Sequence, residues 1–294
     1  MKTIRPASLF LFVILCCSLP DIYASDPPSL YKPGWKLTFH DEFDGPNLND
    51  LYWYTAYRTG RLEYLNRIGA EEIFYDPNAE YKIENGILKL IIDKNIPARR
   101  KIEDHACSCI VTSDHRFGET TDEYQILEKF SQKYGWFEIR CKTVAGSGIY
   151  TAFWLHQTDP NDQEYTPEGV RRKVGDGVVE IDIFEQWSWK NINETEFAVH
   201  FTDNPNRHHI CKLGFDPAED YHVYALEWKE GELNWYVDGN KVHTYIGDTP
   251  QKKMFILAAI FHRPDRERKP LSELKFEYPK EFEIDYIRVY LPEE

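Results

Sequence analysis

The sequence predicts an all-β protein, a sandwich or jelly roll of antiparallel strands, on three observations. Aromatic residues make up 15% of the 294-residue chain. Tyr, Trp, Phe, Ile and Val recur in short alternating runs, the chemistry of a pleated, half-buried surface. Turn signals separate these runs, while long helical periodicity and internal repeats are missing. Sandwiches of about 200 to 250 residues commonly form one unit. No linker divides the chain, so residues 25–294 read as a single domain behind a processed N-terminus.

The first element is that N-terminus. Lys2 and Arg5 precede an apolar segment from Ser8 to Leu19, and small and polar residues then lead to Ala24-Ser25. This is the pattern of a secretory signal peptide, residues 1–24, cut after Ala24. The apolar segment is too short to span a bilayer. Cys16 and Cys17 offer a rival, since lipidation of either would tether the protein to a membrane. The expected location is therefore secreted, periplasmic or at the cell surface.

Next come the strands: WKLTFHDEF (35 to 43), YKIENGILKLIID (81 to 93), YGWFEIRCKTV (134 to 144), IYTAFWLH (149 to 156), FAVHFT (197 to 202), YHVYALEWKEGELNWYVDGNKVHTY (221 to 245) and FEIDYIRVYL (282 to 291). Glu84-Asn85-Gly86 and Val237-Asp238-Gly239-Asn240 separate alternating runs as hairpin turns. Asp93 to Thr121 and Asp159 to Gly177 read as surface loops, and a helical turn is expected near Asp122 to Phe130. Beyond the leader, Cys107, Cys109, Cys141 and Cys211 remain, a number compatible with two disulfides in an exported protein. Their pairing is open, although Cys107 and Cys109 are too close for an easy bond. No Cys has a readable His partner, which argues against a thiol nucleophile.

Composition excludes some functions. A formal charge of −14 disfavours binding to a nucleic-acid backbone. No phosphate-cradling glycine loop and no zinc motif is present.

Alternation then sorts side chains by face. In residues 149 to 156, Ile149, Phe153 and Leu155 share a core face, and Tyr150, Trp154 and His156 share the other. In residues 196 to 202, Phe197, Val199 and Phe201 oppose Glu196, Ala198 and His200. Each ring taken singly could simply pack beneath a loop. Together they describe the floor of a sugar-binding cleft, where pyranose faces stack on aromatic rings and polar edges bond hydroxyls.

The most informative stretch is VVEIDIFEQW, residues 178 to 187. Val179, Ile181 and Ile183 alternate with Glu180 and Asp182, so one face is core and the other acidic. In an ideal strand Glu185 would fall on the core side, a costly place for a carboxylate. A one-residue bulge between Ile183 and Glu185 returns it to the acidic face. Glu180 and Glu185 are then about four strand steps apart, roughly 13 Å at the backbone. Side chains leaning inward over a concave sheet would bring their carboxyls to about 5 Å, the separation of retaining glycosidases. Asp182, between them, could hold one Glu ionised while the clustered charge keeps the other protonated. A calcium site or a solvated acidic edge strand would also use acids, but calcium usually takes its oxygens from a loop.

These residues resemble glycoside hydrolase family 16, whose signature is a bulged Glu-x-Asp-x-x-Glu strand on a concanavalin-like jelly roll of two curved sheets with a concave cleft. GWKLTFHDEFDG, YGWFEIRCKTVAGSGIYTAFWL, YHVYALEWKEGELNWYVDGNKV and FEIDYIRVY look like the family's opening strand, central cleft strands, late hairpin and closing strand. The resemblance implies Glu180 as nucleophile, Glu185 as general acid/base and Asp182 as the assisting acid. Trp154, Trp187 and His200 look like sugar contacts, and Tyr150, His156 and Trp189 join them as candidates. No cofactor is implied for catalysis. Some members carry a structural calcium, for which Glu42 and Asp285 are candidate ligands, although surface carboxylates at strand ends are the simpler explanation.

Two departures bear on the substrate. Many β-1,3-glucanases of the family have Trp-Pro where this chain has Ile149-Tyr150, and a Gly soon after the last catalytic Glu where it has Gln186-Trp187-Ser188-Trp189. Arg171, Arg172 and Lys173, just before the acidic strand, and Arg263, Arg266, Arg268 and Lys269 are basic clusters in an acidic chain. They could grip sulfate or carboxylate groups on a glycan, or pair with nearby acids as solvated loops. The expected protein is a monomeric, secreted, retaining endo-β-glycosidase acting on a β-1,3/1,4-glucan or on an agar-type, sulfated or mucin-type β-galactan. A non-catalytic carbohydrate-binding module of the same fold is the alternative. A lyase is a third, although the sequence lacks its usual Tyr or His base beside a charge-neutralising group.

Overall fold

The structure, a computed structural model, describes residues 29–55, 80–93, 106–117, 124–157, 178–188, 192–201, 205–262 and 277–293. The expected signal peptide, the segment read as a loop from Asp159 to Gly177 and both basic clusters lie outside these residues. The regular elements described are strands: β1 (Trp35–Asp41), β2 (Tyr81–Glu84), β3 (Ile87–Ile92), β4 (Ala106–Val111), β5 (Ser113–Phe117), β6 (Tyr124–Glu128), β7 (Gly135–Lys142), β8 (Ile149–Gln157), β9 (Val178–Trp187), β10 (Glu194–Phe201), β11 (Arg207–Lys212), β12 (His222–Lys229), β13 (Glu232–Val237), β14 (Asn240–Ile246), β15 (Met254–His262) and β16 (Lys280–Pro292). Among the described residues no helix is long and apolar enough to cross a membrane.

The strands form two antiparallel layers and a small β5-β6 ribbon. The larger sheet runs β14-β13-β12-β7-β16-β3-β2, with β1 also on β16; the smaller runs β11-β10-β9-β8-β15-β4. Both expected hairpins are present, with Asn85 and Gly86 at φ 54° and 75° and Asp238 and Gly239 at 47° and 75°. These left-handed pairs twist with the strands they join, which is why Asn/Asp-Gly occupies them. Between the layers lies one apolar core: Phe137, Ile139, Leu226, Trp228, Ile284 and Ile287 from the larger sheet face Phe153, Leu155, Ile181, Ile183, Phe197 and Ile256 from the smaller. The faces read from alternation hold, because Ile149, Phe153 and Leu155 join this core while Ala152 and Trp154 pack with Tyr150 in a second cluster on the opposite side of the smaller sheet.

Several sequence expectations need correction. β4 and β5 occupy the segment expected to be a loop, and β6 stands where a helical turn was expected. ACSCIV lacks the aromatic alternation that marks the other strands, yet it pairs along β15 from Leu257↔Val111 to His262↔Ala106. β15 itself, MFILAAIFH, is buried at all nine positions. Covered on both faces, it has no polar alternation to betray it. Nor are the cysteines bridged: all four are buried thiols. Cys107 and Cys109 lie on the outer side of the smaller sheet, whereas Cys141 and Cys211 belong to the core between the sheets, on strands of opposite layers.

Candidate active site

The acidic strand β9 sits between β8 and β10 in the smaller sheet, and its register determines which side chains meet. On the β8 side Trp154 pairs with Asp182 but Phe153 with Phe184, so Ile183 is the extra residue of a bulge. The β10 side agrees, with Ala198 opposite Asp182 and Glu196 opposite Glu185. Ile183 and Phe184 both turn into the core, at 1% and 0% exposure, and Glu185 returns to the face of Glu180 and Asp182. This is the bulge that the cost of burying Glu185 demanded. A cross-layer bond pins it: Trp235 Nε1–H on β13 donates to the Asp182 carbonyl at 3.0 Å. That bond satisfies a backbone group at the point where the ladder is interrupted.

On the outer face the three acids occupy successive rungs. Glu180 lies between His156 and His200, Asp182 between Trp154 and Ala198, and Glu185 between Ala152 and Glu196. His200 Nε2–H donates to Asp182 Oδ2 at 2.8 Å and stands 3.6 Å from Glu180 Oε1. His156 Nε2 is 3.8 Å from Glu180 Oε2. Asn206 takes a hydrogen bond from Phe201 N–H on its Oδ1 at 3.1 Å and presents Nδ2 to His200 Nδ1 at 2.6 Å. Asn206 thus holds the ring from the side opposite Asp182. Burial lowers the pKa of His200, but the bond to Asp182 and the charges of Asp182, Glu180 and Glu185 outweigh it and raise the pKa to about 9.

Glu185 has the opposite problem. Burial first, then the charges of Asp182, Glu196 and Glu180, push its pKa well above the usual carboxylate range, opposed only in part by His200. A carboxyl held protonated beside other acids is the arrangement of a general acid. The small side chains of Ala152 and Ala198, both buried, leave room on the face beside it.

The other half of the face is apolar. Trp187, Tyr150 and Phe261 stack across β9, β8 and β15, with centroids 4.2 Å and 4.4 Å apart and planes within 18° and 11°. Trp187 and Tyr150 are partly exposed. Trp154 is only 4% exposed and lies beneath that surface. Trp189, Arg171 and Arg172 lie outside the described residues. The structure also brings in Glu196, Asn206, His208, Trp235 and Phe261, to which sequence reading gave no role. Glu196 was visible on the His200 face, whereas the partnership with Trp235 crosses between layers and leaves no sequence signal.

Two sets of side chains offer donors of the kind a metal ion takes. Calcium needs about six to eight oxygen ligands, but Glu42 forms a two-point ion pair with buried Arg288 at 2.9 and 2.6 Å, and Asp285 pairs with Arg140. Neither carboxylate fits a calcium site. The ligand atoms of Glu180, Asp182 and His200 lie within 4.8 Å of one another. The proton shared by His200 and Asp182 occupies the space between two of those donors, so the cluster fits a hydrogen-bonded network.

Comparison with known proteins gives this geometry a setting. The model of the family described as glycosyl hydrolases family 16 matches residues 78–280. A beta-glucanase of Bacillus subtilis (strain 168) is 34% identical over 127 residues, 42% of this chain and 46% of the relative. Glucan endo-1,3-beta-glucosidase A1 of Niallia circulans is 25% identical over 299 residues, 92% of this chain and 40% of the relative. The chain thus spans less than half the length of these curated relatives. Among solved structures, a GlcNAcα1-4Gal-releasing endo-β-galactosidase from Clostridium perfringens superposes with TM-score 0.68 and 28% identity, covering 90% of this chain and 65% of that one. The laminarinase catalytic domain of Thermotoga maritima MSB8 does so with TM-score 0.67 and 23% identity, covering 88% and 99%.

Proposed function

The chain belongs to glycosyl hydrolases family 16, and from that premise we propose that it cleaves internal β-linkages of a polysaccharide by double displacement with retention of configuration. One observation carries the reading: the bulge at Ile183 places Glu180, Asp182 and Glu185 on successive rungs of one face. Glu180, flanked by His156 and His200, attacks the anomeric carbon. Glu185 gives its proton to the departing glycosidic oxygen, then takes one from the water that releases the sugar. Asp182, fixed by His200, carries negative charge beside both steps and orients the imidazole that faces the nucleophile. The partly exposed rings of Tyr150 and Trp187 hold a sugar face. Residues 1–24 direct the chain to export, and no cofactor enters the reaction.

A β-glucan and a β-galactan both suit the cleft. The glucanase relatives support the first. The galactosidase likeness over 90% of the chain supports the second, as does Ile149-Tyr150 standing where many family glucanases carry Trp-Pro. Incubation with laminarin, mixed-linkage β-glucan, agarose, sulfated galactan and mucin glycans, followed by product sizing and NMR of the first-formed anomer, separates them. Glu180→Gln is expected to abolish turnover, by at least about 1000-fold, while retaining oligosaccharide binding. Residual hydrolysis near the parent rate, or an inverted anomer, would refute the mechanism. A binding module of the same fold would show affinity and no products.

A further inference from the structure

Glu185 faces more than the acids of its own strand. Its cross-strand partner on β10 is another carboxylate, Glu196, only 9% exposed. Cross-strand partners of this kind bring side chains within about 5 Å at Cβ, and two carboxylates so placed resist double ionisation. The next strand outward supplies the element that breaks their symmetry. His208 on β11 directs Nδ1 at Glu196 Oε1, 2.7 Å away, and lies edge-on to His200 at 5.4 Å. Glu185 has no counterpart to this on its other flank, where β8 presents Ala152.

We propose that Glu185 and Glu196 share one proton and that His208, by donating Nδ1–H to Glu196, places that proton on Glu185. Glu196 and His208 are positioning residues in this scheme, since neither needs to touch the sugar. The inference rests on Glu185 being the acid/base of the reaction. A bond donated to an ionised carboxylate favours that ionised form, so the pair's proton is left to Glu185, facing the cleft. The charged and titratable groups around Glu185 are Glu180 and Asp182 on β9, Glu196 and His200 on β10, His156 on β8 and His208 on β11. Of these, Glu196 is the one directly opposite Glu185 in the ladder, so removing its charge should act most directly.

The test is the pH dependence of kcat/KM for the full chain on whichever of the panel glycans it cuts fastest. The alkaline limb reports the acid that must hold its proton. Glu196→Gln keeps the shape of the side chain and removes its charge, so the limb should move down by about one pH unit. His208→Leu should lower kcat about tenfold below the limb and move the limb up by about one pH unit, because most of the population then carries the shared proton on the wrong carboxyl. His208→Asn, whose amide can still donate, should recover most of that loss, which a merely structural role for the ring would not predict. An unmoved limb in Glu196→Gln overturns the proposal, as does an unchanged kcat in His208→Leu. Should Glu196→Gln fail to fold, the two His208 variants decide alone. Glu185→Ala separates the premise from the inference: full activity in that variant refutes the acid/base reading. Its expected loss of at least about 100-fold, combined with a fixed limb in Glu196→Gln, refutes the proton-sharing pair only.

Discussion

His200 couples the site's electrostatics to the stability of the whole chain. Its pKa rises from 6.5 to about 9 on folding, so between those values the native state binds more protons than the unfolded one, and stability falls as pH rises. The contribution is complete below about pH 6.5 and is lost as pH climbs through about 9. Urea unfolding at pH 6 and at pH 9.5 should therefore differ by roughly 1 to 3 kcal/mol from this residue, and His200→Leu should flatten the curve in that window. A His200→Leu curve as steep as the parent's would contradict it. At this scale the sequence was legible wherever a residue's placement depends on its own strand. The shared face of Glu180, Asp182 and His200 follows from alternation, whereas their roles came from the family resemblance. Asn206 follows from neither, because its task is to orient an imidazole through contacts that its own neighbours in the sequence do not announce.

The bulge in β9 is the element on which the site turns, and Trp235 is its support. Trp235→Phe keeps the buried ring but leaves the Asp182 carbonyl without its 3.0 Å donor, at a cost of about 1 to 3 kcal/mol. Turnover should fall more than binding does, because Glu185 is aimed by the same backbone. Thermal melting and separate kcat and KM measurements check this, and wild-type values for both would show that the bulge holds without its cross-layer bond. The bulge was foreseeable because an unbulged strand would bury Glu185 at a large free-energy cost, a physical contradiction written into the sequence. β15 carried no such contradiction. A run of nine buried apolar residues satisfies any buried element equally well, and only its pairing with β8 and β4 identifies it as a strand. β4 stayed hidden for the converse reason, since its Cys and Ser residues give weak strand signals until a partner covers them.

Across the molecule, the thiols provide a direct check on how the layers are held. The four described cysteines are unbridged and buried, and burial raises the pKa of the Cys141 thiol far above its usual value. Reductant should leave Tm unchanged, and alkylation followed by mass measurement should modify these positions only after denaturation. A drop of several degrees in Tm on reduction would reveal a bridge. The expected disulfides came from counting cysteines in an exported chain, a rule about compartments that is blind to which layer each residue joins. The layers themselves were legible, because two faces per strand and a shared apolar interior are properties that sequence periodicity encodes.

β16 pairs with β1, β3 and β7, three strands that all precede it by well over a hundred residues. Synthesis delivers it after every one of those partners, so the larger sheet stays in separate pieces until its unifying strand is made. Contacts of such long sequence separation also slow folding, to the millisecond-to-second range typical of β sandwiches. Every strand of the smaller sheet precedes β16 in the chain, so the last strand acts as a latch that unites one layer over another whose parts are already made.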